Sequence, residues 1–292
     1  MTLNFTESVA SSTEDQEPGF KLLAIKEGAS QRVSVDGIAD VHRPQVLGPR
    51  SLVHSPRSLV RIPDRGAERD NDHMPGLFAG VPRERELVHV TPGAVWLRNW
   101  LSLDVQAQLV EQCRSLLEGP GGGYTPTVRG GGKMHVQMMC LGRHWNPLTY
   151  TYEATRADHD DLPVAPLPSE WVSMASAAAL EAGFDCTPDI CLINFYQADG
   201  RMGLHQDKDE SSASLDAGFP VVSVSIGDTA RFLFGGLRRR EPVETMMLES
   251  GDVFVFGGEA RLRYHGVSRI VPGTAPAALA LPGRINLTFR QY

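Results

Sequence analysis

The sequence predicts a mainly β fold with flanking helices, a double-stranded β-helix or jelly roll, on three observations. Short β-branched or aromatic runs fill the second half of the chain, separated by Gly, Asp and Pro at regular intervals. No helix-sized crossover lies between them, which argues against a parallel sheet. Two segments of helical periodicity precede them.

The elements follow in order. Residues 94–97 read as a strand. Ser102 then stands as an N-cap before Leu103, Ala107, Val110, Cys113 and Leu117, which recur at helical spacing up to a stop at Gly119. A second helix runs from Ser169 through Trp171, Val172, Ala175, Ala178 and Leu180 to Gly183, favoured by its alanine content. Strands are expected at 190–196, 221–226, 231–234, 244–248, 253–256 and 285–289, with tight turns at Gly235-Gly236 and at 249–252. Residues 1–73 scatter Ser, Thr, Glu, Asp, Arg and Pro without a sustained period, apart from an apolar stretch at 20–25. They are expected to form a disordered or loosely structured extension to a domain spanning 74–292.

With 292 residues and 41% hydrophobic composition, the chain can bury a full core. It has no run of about 18 apolar residues and no basic-then-apolar start, so a cytoplasmic monomer without membrane contact is expected. Cys113, Cys140, Cys186 and Cys191 form no CxxC pair and read as free thiols. A formal charge of -7 argues against coating nucleic acid by bulk electrostatics, because that affinity comes from neutralising phosphates. A local basic patch would have to serve, and two candidates are Arg238-Arg239-Arg240 and the trio Arg261, Arg263 and Arg269. The cluster Gly130-Gly131-Gly132-Lys133 is not a phosphate loop, since Met134 stands where Ser or Thr is needed. It reads as a lid or a linker.

His205 and Asp207 are two residues apart, so on an extended chain both side chains leave one face. His265 lies just beyond the strand at 253–256, where a jelly roll can fold it back beside them. Two histidines and a carboxylate on one face of an octahedron leave three positions open, the arrangement non-haem iron(II) oxygenases use. The last strand alternates without a break: Ile285, Leu287 and Phe289 on one face, Arg284, Asn286, Thr288 and Arg290 on the other. Inside a barrel, two arginines demand an anion, and a dicarboxylate fits. Arg284 is assigned to its far carboxylate and Arg290 to the neighbourhood of the metal, although they stand roughly 20 Å apart along a straight strand at about 3.3 Å per residue. Asn194 and Tyr196 share a face and can donate hydrogen bonds to the same ligand.

Several stretches in this order resemble the bacterial AlkB family: Leu204 to Glu210 (LHQDKDE), VSVSI at 222–226, FGGL at 234–237, Gly257-Gly258-Glu259, Tyr264-His265-Gly266 and NLTFRQ at 286–291. A further match begins at Met74. The resemblance implies an Fe(II)- and 2-oxoglutarate-dependent dioxygenase using O2, which demethylates 1-methyladenine or 3-methylcytosine in DNA as a repair enzyme. It implies His205, Asp207 and His265 as iron ligands, and Asn194, Tyr196, Arg284, Asn286 and Arg290 as the 2-oxoglutarate site. It implies Trp145, after Cys140, as the residue stacking on a flipped base, with Tyr150, Tyr152, Asp209 and Arg239 near the nucleotide. An oxygenase acting on RNA or protein, or a jelly-roll binding module without catalysis, stays open.

Overall fold

The computed structural model describes residues 84–119 and 122–292. The expected extension at 1–73, its apolar stretch and the match beginning at Met74 lie outside the described residues.

Thirteen strands and three α-helices are described. In chain order they are β1 (Glu86–Thr91), β2 (Ala94–Arg98), α1 (Leu103–Glu118), β3 (Gln137–Leu141), β4 (His144–Asn146), β5 (Thr151–Glu153), α2 (Ser169–Glu181), β6 (Ile190–Tyr196) and β7 (Met202–His205). Then come α3 (Ser212–Ala217), β8 (Val221–Gly227), β9 (Thr229–Phe234), β10 (Glu244–Leu248), β11 (Val253–Phe256), β12 (His265–Val271) and β13 (Arg284–Arg290). A seven-stranded sheet, β1-β2-β11-β8-β13-β6-β3, faces a four-stranded sheet, β10-β9-β12-β7, and β4-β5 form a separate hairpin. The named strand pairs are antiparallel, and β13 lies between β6 and β8 with an unbroken register to each. The expected jelly roll is present.

Local chemistry explains the helices. Ser102 Oγ accepts the Val105 N–H and starts α1, which buries Leu109, Val110 and Cys113. Trp171, Ala175, Ala178 and Ala179 are the buried face of α2, and small side chains let that helix lie close to its neighbours. These residues join Val95, Leu97, Ile193, Val222, Val224, Leu287 and Phe289 in one apolar cluster on the helix side of the large sheet. A second cluster sits between the sheets, where Phe232 and Phe234 of β9 meet Phe254 and Phe256 of β11. Each large side chain so buried contributes about 1.5–3 kcal/mol.

Both predicted helices and all seven predicted strands exist, within about two residues at their ends. The sequence reading passes over β1, β3, β4, β5, β7 and β12. The strand β7 reads Met-Gly-Leu-His, without the β-branched composition that marks a strand, so pairing with neighbours overrides propensity there; β12 holds Val267, Ile270 and Val271 but opens on His-Gly and is interrupted by Ser268 and Arg269. One basic candidate also dissolves. Arg261 is 3% exposed and cannot belong to a surface patch, whereas Arg269 and Arg238 to Arg240 are exposed.

Candidate metal centre and its cavity

His205 ends β7 and His265 begins β12, and the two strands are directly paired at those residues. That pairing depends on Gly266, because a Cβ there would lie 2.7 Å from the Met202 carbonyl oxygen and 2.9 Å from that of Gly203. The two imidazoles stand 4.4 Å apart between centroids, and Asp207 joins them from the loop after β7. His205 Nε2 is 3.5 Å from Asp207 Oδ1, and His265 Nε2 is 3.5 Å from Asp207 Oδ2. One ligand atom from each of the three residues lies within 4.8 Å of the others.

The tautomers follow from the remaining contacts. His205 Nδ1 is 2.9 Å from the Gly203 carbonyl, and His265 Nδ1 is 3.1 Å from the Arg263 carbonyl. A carbonyl only accepts, so each Nδ1 carries hydrogen and donates it. Both Nε2 atoms therefore turn toward Asp207 and converge, which suits a divalent metal and fixes each ring as metal ligands require. Burial pushes the His265 pKa down, and the neighbouring His205 adds to the fall, so the ring is held neutral. Burial works against ionisation of Asp207, but the Arg290 guanidinium beside it, with the two imidazoles in contact, outweighs that and holds the carboxyl well below its usual range. The residues fit Fe(II).

The triad opens into a cavity of about 390 Å³. Asn194, Tyr196, Asn286, Thr288 and Arg290 line it, as do Trp145, Tyr150, Asp209 and Arg239. Trp145 is held from two sides: its backbone N–H donates to Cys140 Sγ at 3.5 Å and its indole N–H to Asp209 Oδ2 at 2.8 Å. The turn between Cys140 and Trp145 needs Gly142, whose φ is +79° and whose added Cβ would meet the Asp189 carbonyl at 1.9 Å. Tyr150 packs edge-on against Trp145 with centroids 6.0 Å apart. Burial raises the Asp209 carboxyl pKa despite the indole hydrogen bond.

Tyr152 and Arg284 lie behind this wall rather than on it. Tyr152 is buried, and its hydroxyl takes a hydrogen bond from Arg290. Arg284 donates to the carbonyls of Asp228 and Leu248 and to Ser225 Oγ, while its Nε is buried without a partner. Burial pushes its pKa down to about 10. Two charged residues that the sequence did not place at the site adjoin it: Glu210, whose side chain is fully buried, and Arg261, expected instead in a basic surface patch. Glu210 sits in the LHQDKDE stretch among acidic neighbours, and nothing in residue type separates Arg261 from a surface arginine.

The model of the 2OG-Fe(II) oxygenase superfamily matches residues 93–290. The chain is 46% identical over 224 residues to DNA N(6)-methyladenine demethylase ALKBH1C of Arabidopsis thaliana, a match covering 70% of this chain and 49% of that protein. It is 38% identical to alpha-ketoglutarate-dependent dioxygenase AlkB of Salmonella typhimurium over 210 residues, 69% of this chain and 91% of that one. The solved structure of OsALKBH1 aligns with a TM-score of 0.67 and 42% identity, covering 71% of this chain and all of that chain. The chain therefore belongs to the 2OG-Fe(II) oxygenase superfamily and, within it, to the AlkB family, whose metal is Fe(II) and whose co-substrates are 2-oxoglutarate and O2. It spans about half the length of the Arabidopsis relatives it matches, 49% and 57% for two of them.

Proposed function

We propose that the chain is an oxidative demethylase of N-alkylated bases in DNA, with 1-methyladenine and 3-methylcytosine as substrates. The observation that carries this is the shared cavity: the His205, Asp207 and His265 cluster opens into the same space as an indole fixed edge-on to Tyr150 and tied to a carboxylate. His205, Asp207 and His265 are the metal ligands in this reading. Asn194, Tyr196, Asn286 and Arg290 bind 2-oxoglutarate on the cavity wall. Arg284 serves it from behind, supported by a buried cation that has no carboxylate ion pair among the described residues.

When bound, iron and 2-oxoglutarate with O2 supply the oxidation that converts an N-methyl group to formaldehyde, with succinate and CO2 as the other products. The protein binds, orients and keeps the site dry. Trp145 offers a π face to a flipped base. A base methylated at N1 of adenine or N3 of cytosine is cationic, so the indole adds about 0.5–2 kcal/mol of cation–π attraction, and the Asp209 carboxylate complements the charge. Exposed Arg239, on the cavity rim, meets the phosphate backbone, which a chain of charge -7 cannot hold by its overall field.

A second reading is favoured by the names of the Arabidopsis relatives, which give N(6)-methyladenine in DNA as the substrate. That base is neutral, so the cation–π contribution would vanish. The deciding experiment incubates the full chain with Fe(II), ascorbate and 2-oxoglutarate and with oligonucleotides carrying each lesion in DNA and in RNA. Formaldehyde release and mass loss of one methylene from the 1-methyladenine and 3-methylcytosine DNA are expected. Loss from N6-methyladenine alone would select the second reading, and loss from RNA alone would overturn the DNA assignment.

A further inference from the structure

Arg261 stands at the end of a short 3-10 turn, four positions before His265 in sequence, and its guanidinium is spent entirely inside the protein. Nη1 donates to the Asp207 carbonyl, Nε donates to the Phe219 carbonyl at 2.8 Å, and Nη2 pairs with Glu210 Oε2 at 2.9 Å. The other oxygen of Glu210 lies 3.2 Å from Arg290 Nε, while Arg290 Nη2 lies 2.7 Å from Asp207 Oδ2. Two cations and two anions thus alternate along a buried chain, Arg261, Glu210, Arg290 and Asp207, whose ends meet through the Asp207 backbone carbonyl. Each of these side chains is less than a tenth exposed.

Such a cluster is costly to desolvate and contributes little net stability over an apolar equivalent. Stability therefore does not explain why it is there. What distinguishes it is where its contacts end. Arg261 enters from the segment leading to His265, and grips the backbone of Asp207 and the side chain three residues further along the same loop. One planar fork, with donors in fixed directions, joins the two chain segments that carry the second and third members of the triad. A lysine could match the charge but not the three directions.

We infer that Arg261 is a positioning residue of the metal centre, which holds Asp207 and His265 in register before a metal arrives, with Glu210 as its counter-grip. The inference rests on reading the triad as a metal site. Removing Arg261 lets the Asp207 loop drift from β12, so the three ligand atoms converge less well and the metal binds more weakly.

The test uses the full chain stripped of metal by chelation and titrated with Co(II), whose visible spectrum reports ligand geometry. Wild type is expected to bind and Asp207→Ala to lose binding; failure of either result overturns the metal reading and this inference with it. Arg261→Lys is expected to raise the Co(II) Kd about 10- to 100-fold, as loss of outer-shell partners does, and to alter the Co(II) spectrum. Glu210→Gln, which leaves Arg261 in place but loosens its grip, should move both readouts in the same direction. Arg156→Lys disturbs another ion pair, between buried Arg156 and exposed Asp160, away from the cavity. It should lower thermal stability without moving the Co(II) Kd. Arg261→Lys or Glu210→Gln, folded by circular dichroism, with a Kd within twofold of wild type and an unaltered spectrum, would show that the cluster serves packing alone.

Discussion

The two faces of β13 are built from one heptapeptide and do opposite work. Toward the helices, Ile285, Leu287 and Phe289 are buried among apolar side chains, and Phe289 meets the Trp171 ring edge-on at 6.3 Å. Toward the smaller sheet, Arg284, Asn286, Thr288 and Arg290 are nearly as deeply placed but sit among polar groups. The same contrast runs across the neighbouring strands: Cys191 and Ile193 of β6 face the helices, and Asn194 and Tyr196 reach the cavity. Burying a polar atom without a partner costs about 1–3 kcal/mol, and Asn194 Oδ1 and Arg284 Nε both lack one. On this strand the helix-facing side chains are apolar and add to the core, whereas the inner ones are polar, and in the proposed reading they serve a ligand.

The sharpest way to separate the faces is to remove a proposed metal ligand. His265→Ala should abolish formaldehyde release, a loss of at least about three orders of magnitude if turnover depends on the metal. Its unfolding midpoint in denaturant should stay near that of the wild-type chain stripped of metal. Residual turnover within tenfold of wild type would remove His265 from the site.

A pair of substitutions on β13 tests the division directly. Phe289→Ala leaves a cavity against Trp171 and should cost about 3–5 kcal/mol of stability, while the protein that remains folded binds 2-oxoglutarate normally. Arg284→Met should do the reverse. It removes a buried cation whose loss from an ion-paired site costs about 3–5 kcal/mol of binding. Its own desolvation is relieved, so stability should fall less than in Phe289→Ala. Equilibrium unfolding and 2-oxoglutarate titration of both variants decide the matter, and equal effects on both measurements would erase the distinction between the faces.

Trp145→Ala acts only on the cavity mouth. It should weaken binding of a methylated oligonucleotide by about 1–3 kcal/mol, the usual worth of one stacked base. Slow decarboxylation of 2-oxoglutarate without nucleic acid should persist, because Trp145 is separate from the triad. Unaltered oligonucleotide affinity would leave the oxygenase intact and take the base-stacking role away from Trp145.

The helix-facing side of the molecule was legible from residue patterns because it is made by periodicity. The i, i+3, i+4 apolar spacing of α1 and the alternation of β13 are local signals, and both elements fall where they were expected. The cavity was legible in part. The HxD spacing and His265 converge, and Asn194, Tyr196, Asn286 and Arg290 reach one wall. What sequence could not carry was the state of individual charges. Arg261 looks like any exposed arginine until the loop after β7 and the Phe219 carbonyl meet its guanidinium, and Tyr152 lies behind the wall where its hydroxyl meets Arg290. The strand β7 escaped notice for the same reason, since long-range pairing with β12, not composition, makes it a strand.

The cysteines give the smallest but most even-handed probe, because they sample both faces. Cys113 and Cys191 belong to the helix-facing cluster and Cys140 to the one between the sheets, where its sulfur accepts the Trp145 N–H. Burial pushes the thiols up, Cys113 to about 12 and Cys140 and Cys186 to about 11, with Cys191 also well above the usual range. An unfolded thiol ionises near 8.5. The unfolded chain therefore loses these protons first as pH rises. The thiol contribution to folding is intact below about 8.5 and is lost progressively as pH climbs through 11 to 12. Iodoacetamide labelling of the native chain at pH 8 should consequently run about two to three orders of magnitude slower than labelling of the unfolded chain, since the thiolate is the nucleophile. The comparison between faces lies in the response to ligand. An oligonucleotide that orders Trp145 should slow Cys140 labelling further and leave Cys113 and Cys191 unchanged, read site by site by peptide mass spectrometry. A ligand effect that appears equally at Cys113 and Cys191 would show that the two faces move as one body, and that their separate roles are not mirrored in separate dynamics.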